Sequence, residues 1–475
     1  MIRFFNSLTR SLEEFVPIKE GEVSIYTCGP TVYNTPHIGN LRTFIFEDLL
    51  HRWMEYRGYT VHHVMNLTDV DDKTIRNSIL KNMSLSDYTD IYKKEFFDSI
   101  KQLNFKPAEA YPSATEYVPG MIEMIKGLIK KGYAYESSDG VYFKVSAFKD
   151  YGKLAHIDRE ALLAGASGRT HSDEYSRDEI SDFALWKKWS GEDGDVMWPS
   201  PFGDGRPGWH IECSVMSMKL LGNTIDIHCG GIDNMFPHHE NEIAQSEAFT
   251  GVKFVNYWLH AMHLQVDSEK MSKSKNNFYT LADLAERGHN GRAVRYALLS
   301  AHYRKPLNFT FDLLKQAESS LKRIDEFVFE LGKVSAEGRG NPSFSKALKS
   351  SAELFDNALD SDLNISEALS ALFTLISFYN NNKSGATRKN ADDIKAWLDS
   401  IDSVLGFIRP AGEDGGISAG AEAISPEAEE LIKQRTIAKE NKDYKKADEI
   451  RAKLLESGIE VRDTKDGAVW KKIGS

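Results

Sequence analysis

Cysteine is scarce in this 475-residue chain: only Cys28, Cys213 and Cys229. So few thiols in a chain of this size exclude a disulfide framework. There is no C-x-x-C pair and no H-E-x-x-H, so neither a zinc ribbon nor a helical metalloprotease site can be read from spacing. Also missing are G-x-G-x-x-G and a Walker loop, which removes the common dinucleotide and P-loop readings. No apolar run approaches the ~20 residues of a membrane-spanning helix. The longest candidate, Ala368 to Tyr379, is short and carries Ser370, Thr374 and Ser377. MIRFFNSLTRSLEEF at the N-terminus lacks a sustained apolar core and contains Glu13 and Glu14, so no secretory signal is read there and a cytoplasmic location is expected. Basic excess is absent as well: the formal net charge is -11, against a surface coated for non-specific nucleic-acid binding. No internal repeat is seen.

What is present is ordinary globular composition, 41% hydrophobic, with length for several domains. Residues 22–28 (EVSIYTC) read as a buried strand. The loop GPTVYNTPHIGN follows, then Leu41, Ile45, Leu49, Trp53 and Tyr56 at helical spacing, with Gly58 as the cap. Residues 59–66 read as a second strand. This βαβ pattern points to a doubly wound parallel sheet, an α/β fold. From about 115 to 205 the rhythm breaks into a helix at 118–131, a hairpin around Ser138-Asp139-Gly140 and a Gly/Asp-rich stretch. It resumes with a helix near 210–221, a strand at 224–228, a helix from about 238 and a strand near 254–260. Residues 310–408 show only helical spacing, and 411–425 read as a linker. Two helices (426–440 and 444–457) and a hairpin at Lys465-Asp466-Gly467 complete the chain. Residues 431–475 hold twelve Lys and Arg against eight Asp and Glu, a basic end on an acidic body. Charge alone favours the plainer reading, a solvated helix face of mixed charge.

Pro36-His37-Ile38-Gly39-Asn40 opens the first helix. Backbone N–H groups at a helix start attract phosphate, Gly39 permits close approach, and His37 can donate to a phosphate oxygen. An ordinary strand-to-helix turn with a capping Asn is the alternative. Far downstream stands Lys270-Met271-Ser272-Lys273-Ser274-Lys275, two lysines flanking small residues in a form suited to a loop closing on polyphosphate. Alone, a lysine-rich turn is usually just solvated.

Together these segments resemble the two signatures of class I aminoacyl-tRNA synthetases. The second is a full match; the first departs from the family's HIGH by placing Asn40 where a second His stands. Asn still donates a neutral hydrogen bond. The resemblance implies that His37, Asn40, Lys270 and Lys273 are catalytic. It also implies that Pro36, His37, Gly39, Asn40, Lys270, Met271, Ser272, Lys273 and Ser274 contact ATP, which brings Mg2+ with it.

His238 and Glu242, four apart in PHHENEIAQ, would share one helix face. Cys213 lies on another predicted helix, and Cys28 ends the first strand. Ligands of open α/β sheets gather at the carboxyl ends of the strands, so the four could meet there. Two thiolates, an imidazole and a carboxylate are acceptable zinc ligands. Spacing alone leaves open the alternative of buried small cysteines and a capping helix. GWHIECS, DIHCGGIDNMFPHHENEIAQ, NLTDVDDK and the tail ADEIRAKLLESGI are similar to blocks of the cysteinyl-tRNA synthetase family, over nearly the whole chain. That resemblance implies one Zn2+ per chain held by Cys28, Cys213, His238 and Glu242, with Cys229 a non-ligating departure from a small residue. Trp209 is expected to close the amino-acid pocket, and His228 and Asp233 to contact the amino acid or the ribose.

The implied reaction is ATP-dependent: L-cysteine to cysteinyl adenylate, then to the 3′ end of tRNA(Cys), in a chain taken as monomeric. Cysteine and serine are near-isosteres that a steric pocket separates poorly, whereas zinc is a soft partner for sulfur. No editing domain is expected. Expected domains are a Rossmann-like catalytic domain at 1–115 and 206–265 and a connective insertion at 116–205. A stem-contact region follows at 266–309, a helical bundle at 310–410, a linker at 411–425 and an anticodon module at 426–475. Two rivals are considered. A ligase joining cysteine to an amino sugar would share the loops and the ligand set but has no use for the tail beyond 425. A non-catalytic zinc or RNA-binding protein would not need both loops and a complete ligand set. Tyr444 and Trp470 are candidate base-stacking residues, though a core role is the more ordinary expectation for either.

Overall fold

The protein is described from a computed structural model covering residues 1–157, 169–170, 182–271 and 277–408, and discontinuous stretches between 430 and 472. Strand β1, Glu22–Thr27, buries Val23, Ile25 and Tyr26 completely, as a strand covered on both faces must. Helix α1, Ile38–Tyr56, leaves it through the PHIGN loop. The helix ends at Arg57, and Gly58 takes φ +89°, a conformation that favours glycine. Strand β2, Thr60–Met65, pairs parallel to β1 in the register Ile25 to His63.

After the insertion come helix α2, Trp209–Leu221, strand β3, Ile225–Gly231, helix α3, His238–Thr250, and strand β4, Val255–Ala261. The sheet order is β4-β3-β1-β2, all parallel. The chain moves outward from β1 to β2, then returns to β1's other edge with β3. The order therefore reverses between β1 and β3, and the crevice at their carboxyl ends is where such sheets take ligands.

Residues 114–207 form the break in the rhythm. Helix Val118–Lys130 leads into a sheet whose hairpin pairs Glu136 with Val141, its turn at the expected residues. Strand Asp182–Lys188 lies between Gly140–Phe143 and Gly205–Pro207. An N-terminal hairpin, Arg3–Asn6 with Ser11–Glu14, was not foreseen; its Asn6 Oδ1 accepts from Trp258 N on β4 at 3.1 Å.

Four long helices follow: Phe311–Gly332, Pro342–Asp360, Ile365–Asn382 and Arg388–Leu405. α1 is pinned to this region by a buried ion pair. Arg295, fully buried on helix Gly291–Leu299, donates to Asp48 Oδ2 at 2.5 Å and to the Leu405 carbonyl at 2.7 Å. Burial would raise the Asp48 carboxyl, but the Arg295 and Arg52 guanidiniums win and hold it below its ordinary value. A second unit, Gly412–Ser475, contains helix Tyr444–Glu456 and an antiparallel hairpin, Ile459–Thr464 with Gly467–Lys472. Lys465 and Asp466, expected at its turn, lie outside the described residues, as does the expected linker. Tyr444 is 61% exposed, so it is no core residue. Among the described residues, no helix is long and apolar enough to cross a membrane.

Candidate metal centre and signature loops

At the crevice between β1 and β3 lie side chains of the kinds that can ligate a metal. Cys28 is the first residue after β1, and Gly29 beside it must lack a side chain, because a Cβ there would lie 1.9 Å from the Asn66 carbonyl. Cys213 projects from α2. His238 and Glu242 are one turn apart on α3, as the 3.6-residue period requires. One ligand atom from each of these four lies within 4.8 Å of all the others. All four side chains are buried: Cys28 is 9% exposed, His238 1%, and Cys213 and Glu242 0%.

Each of three ligands is held by a neighbour. The His238 ring stacks on Trp209, centroids 4.1 Å apart, and its Nδ1 is 3.0 Å from His210 Nδ1, which leaves Nε2 facing the centre. Glu242 Oε2 is 3.0 Å from His228 Nε2, while His228 Nδ1 is 3.2 Å from the Cys229 carbonyl. A carbonyl only accepts, so Nδ1 carries the proton, and Nε2 and the carboxyl share another. Cys28 Sγ is 3.2 Å from His239 Nε2; His239 continues to His260 at 2.9 Å, and His260 to Ser7 Oγ at 2.8 Å.

Burial dominates the titration. It pushes Glu242 up to about 8 against the opposing pull of His238, lowers His238 to about 3, and raises the Cys28 thiol. Glu242 Oε1 lies 3.1 Å from His238 Nε2 yet makes no hydrogen bond among the described residues. A buried carboxylate oxygen with no such partner, beside two thiols and an imidazole, fits a soft divalent cation such as zinc. A second set, Cys28, His228, His239 and Glu242, also converges within the same limit. Cys229 belongs to neither, and packs instead in the core that contains the apolar face of α1.

The three residues expected in the amino-acid pocket differ in burial. His228 is fully buried, with its Nε2 3.0 Å from Glu242 Oε2. Asp233 is exposed on the short turn Ile232–Met235, and Trp209 is half-buried against His238. Sequence reading missed His210, His239 and His260; the doubled histidine of PHHEN and the GWH triplet were the available signals.

At the PHIGN loop the cap is His37. Its Nδ1 accepts from Gly39 N at 3.1 Å and Asn40 N at 3.2 Å, and Asn40 Oδ1 accepts from His37 N at 3.1 Å. Ile38 N donates to the Tyr279 carbonyl and Leu41 N to that of His37. All the first-turn N–H groups are thus engaged, so the helix start is no open backbone cradle for phosphate. Accepting at Nδ1 puts the ring proton of neutral His37 on Nε2, a donor. A Cβ on Gly39 would meet the His37 ring and Met271 Cε, each at 2.9 Å. The second signature therefore begins against the first. Phe278 also meets the His37 ring edge-on at 4.8 Å, and Thr280 bridges to His37. Lys270 is exposed on the two-residue strand Glu269–Lys270, whereas Ser272, Lys273 and Ser274 lie outside the described residues. Pro36 precedes the cap.

Comparison with known proteins agrees with this geometry. Residues 14–319 match the family of tRNA synthetases class I (C) catalytic domains, 354–409 a DALR domain, and 421–470 a cysteinyl-tRNA ligase anticodon binding domain. A cysteine–tRNA ligase of Brachyspira hyodysenteriae is 50% identical over 473 residues, 99% of each chain. One from Protochlamydia amoebophila is 46% identical over 478 residues, 99% of this chain and 98% of that one. Among solved structures, Mycobacterium tuberculosis methionyl-tRNA synthetase bound by methionyl-adenylate superposes with a TM-score of 0.57 at 12% identity. It covers 82% of this chain and 88% of that chain, and at such identity it shows the fold alone. With the catalytic-domain match spanning most of its length and full-length relatives at half identity, the chain belongs to the cysteinyl-tRNA synthetases, ligases of class I.

Proposed function

We propose that this enzyme charges tRNA(Cys) with L-cysteine in two steps, with a bound zinc ion selecting the substrate. The cysteine carboxylate attacks the α-phosphorus of Mg-ATP, forming cysteinyl adenylate and releasing pyrophosphate. The terminal ribose hydroxyl of the tRNA then takes the cysteinyl group and AMP leaves. No protein nucleophile is required; positioning and charge stabilisation carry the rate.

The observation that carries this reading is the meeting of Cys28, Cys213, His238 and Glu242 at the end of the strand that leads into the PHIGN loop. These residues would hold the zinc. When bound, zinc offers sulfur a soft partner that a serine hydroxyl cannot match. The chain's own residues supply the rest. Trp209 and His210 orient His238, and His228 orients Glu242. His37 donates from Nε2 to phosphate, and the Asn40 amide stands beside it. Lys270 and Lys273 close over the polyphosphate, Lys273 being the direct contact. The sheet domain at 1–115 and 206–265 performs activation. The insertion, the helical region and the C-terminal module 426–475, basic from 431 onward, engage the tRNA, with Tyr444 exposed to stack on a base.

Cysteine and serine are to be compared in ATP–pyrophosphate exchange and in tRNA(Cys) charging, with and without chelator. Exchange specific for cysteine and lost on metal removal is expected. Equal exchange with serine would end the metal-selection reading, and exchange without tRNA charging would favour the amino-sugar ligase.

A further inference from the structure

Helix α3 has two working faces. His238 and Glu242 point to the metal centre, and Glu240, roughly half a turn from either, points away from it. The Glu240 side chain is fully buried, and its carboxylate accepts three backbone hydrogen bonds from the insertion: Gly152 N at 2.7 Å, Leu154 N at 2.9 Å and Ala155 N at 2.8 Å. Three donors converging on one group, with no acceptor among them, match a carboxylate and not an amide. Gly152 takes φ +92° in this turn, which Ile157 N closes onto the Gly152 carbonyl. Two flanking contacts fasten the same strap to α3. Tyr151 OH donates to Asn241 Oδ1 at 2.5 Å, and Lys153 Nζ meets Glu247 Oε2 at 2.5 Å.

The strap also reaches the centre from its other end. His156 Nε2 is 3.1 Å from the Ser7 carbonyl, and Ser7 Oγ begins the line through His260 and His239 to Cys28. Segment 151–157 is thus tied to the metal centre through the three residues that lie between the ligands on α3: His239, Glu240 and Asn241.

We propose that Glu240 is a positioning residue that couples metal occupancy of the centre to docking of the insertion strap 151–157. The physical reason is that α3 is one rigid element. Drawing His238 and Glu242 onto a metal fixes the helix, and the helix fixes the carboxylate that the strap wraps. Such coupling is reciprocal: metal tightens the strap, and the intact strap tightens metal binding by the same factor.

This rests on the metal-centre reading above, so zinc content is measured first, on the full-length protein. Hydrogen–deuterium exchange of the peptide spanning 151–157 is then compared in zinc-loaded and chelator-stripped protein, with helix Phe311–Gly332 as the internal reference. Stripping should speed exchange in the strap by about 10-fold and leave the reference helix unchanged. Glu240→Gln should weaken zinc binding by a similar factor, whereas Lys153→Ala, which removes only a flanking ion pair, should leave it nearly unchanged. One zinc per chain with strap exchange indifferent to it would overturn the coupling and leave the metal centre standing. A chain that binds no zinc would overturn both. If Glu240→Gln does not fold, the wild-type exchange comparison decides by itself.

Discussion

The candidate metal centre and the signature loops are built in opposite ways. In the centre every ligand is buried, and three of the four are held by a second side chain before any substrate arrives. At the loops, Lys270 is exposed on a two-residue strand, and the N–H groups of the helix start are consumed by the His37 cap. The difference follows from the tasks proposed for them. Telling sulfur from oxygen would require a geometry fixed in advance. Adenylation requires positive charge that meets the polyphosphate only when ATP is present, so mobile side chains suit it better than a preset backbone cradle.

The largest effect expected from breaking this contrast is at Cys213. Structural zinc contributes ~10–16 kcal/mol, so losing one ligand of four should cost about 3 kcal/mol and weaken metal binding by about 10²-fold or more. Cys213→Ser should therefore lose stoichiometric zinc, read by metal analysis, and cysteine-dependent exchange with it. Full zinc content in this variant would show that the alternative set with His228 and His239 can hold the metal. Next in size, Lys273→Ala should lower the adenylation rate by about 10²-fold while leaving cysteine affinity unchanged, since its charge acts on the transition state. An unaltered pyrophosphate-exchange rate would refute that role. Smaller again, His210→Ala should reduce zinc affinity by about 10-fold, the usual scale for a residue that orients a ligand, with no direct effect on ATP.

The smallest effect is a pH dependence. Burial raises Glu242 to about 8 from an ordinary 4.5. In metal-free protein the unfolded state ionises first as pH rises, so this group contributes a loss of stability from about pH 5 to about pH 8. Below that window both states are protonated; above it both are ionised. Zinc needs the carboxylate, so with metal bound both states are ionised from about pH 5 to about pH 8 and this loss should disappear. Melting curves of wild type and Glu242→Gln, with and without zinc, check the sign. A metal-free wild type with the same slope as the variant would contradict it.

Much of the local structure was legible. The strand expected at 22–28 is observed at Glu22–Thr27, and the helix expected at 118–131 at Val118–Lys130, because hydrophobic period and Gly or Asp turns act over a few residues. The hairpin Arg3–Asn6 with Ser11–Glu14 was not, since RFFN and SLEE are too short to show a period and are anchored through Asn6 to β4. At the site, the ligand types were visible, but the histidine line from Cys28 to Ser7 was not. A buried histidine looks the same in sequence whether it packs or orients a neighbour. Nor could sequence foresee that the His37 ring would cap its own helix, because that choice depends on Phe278, Tyr279 and Met271 closing the other side.

By itself the sequence determined which side chains are available and which short elements carry them: a thiol at a strand end, an imidazole and a carboxylate one helical turn apart, two lysines in a loop. Only the tertiary structure decided that these elements meet. Local propensity contains no distances between segments far apart in the chain. The reversal of strand order between β1 and β3 opens the crevice where Cys28, α2 and α3 converge, and it turns separate residues into one centre.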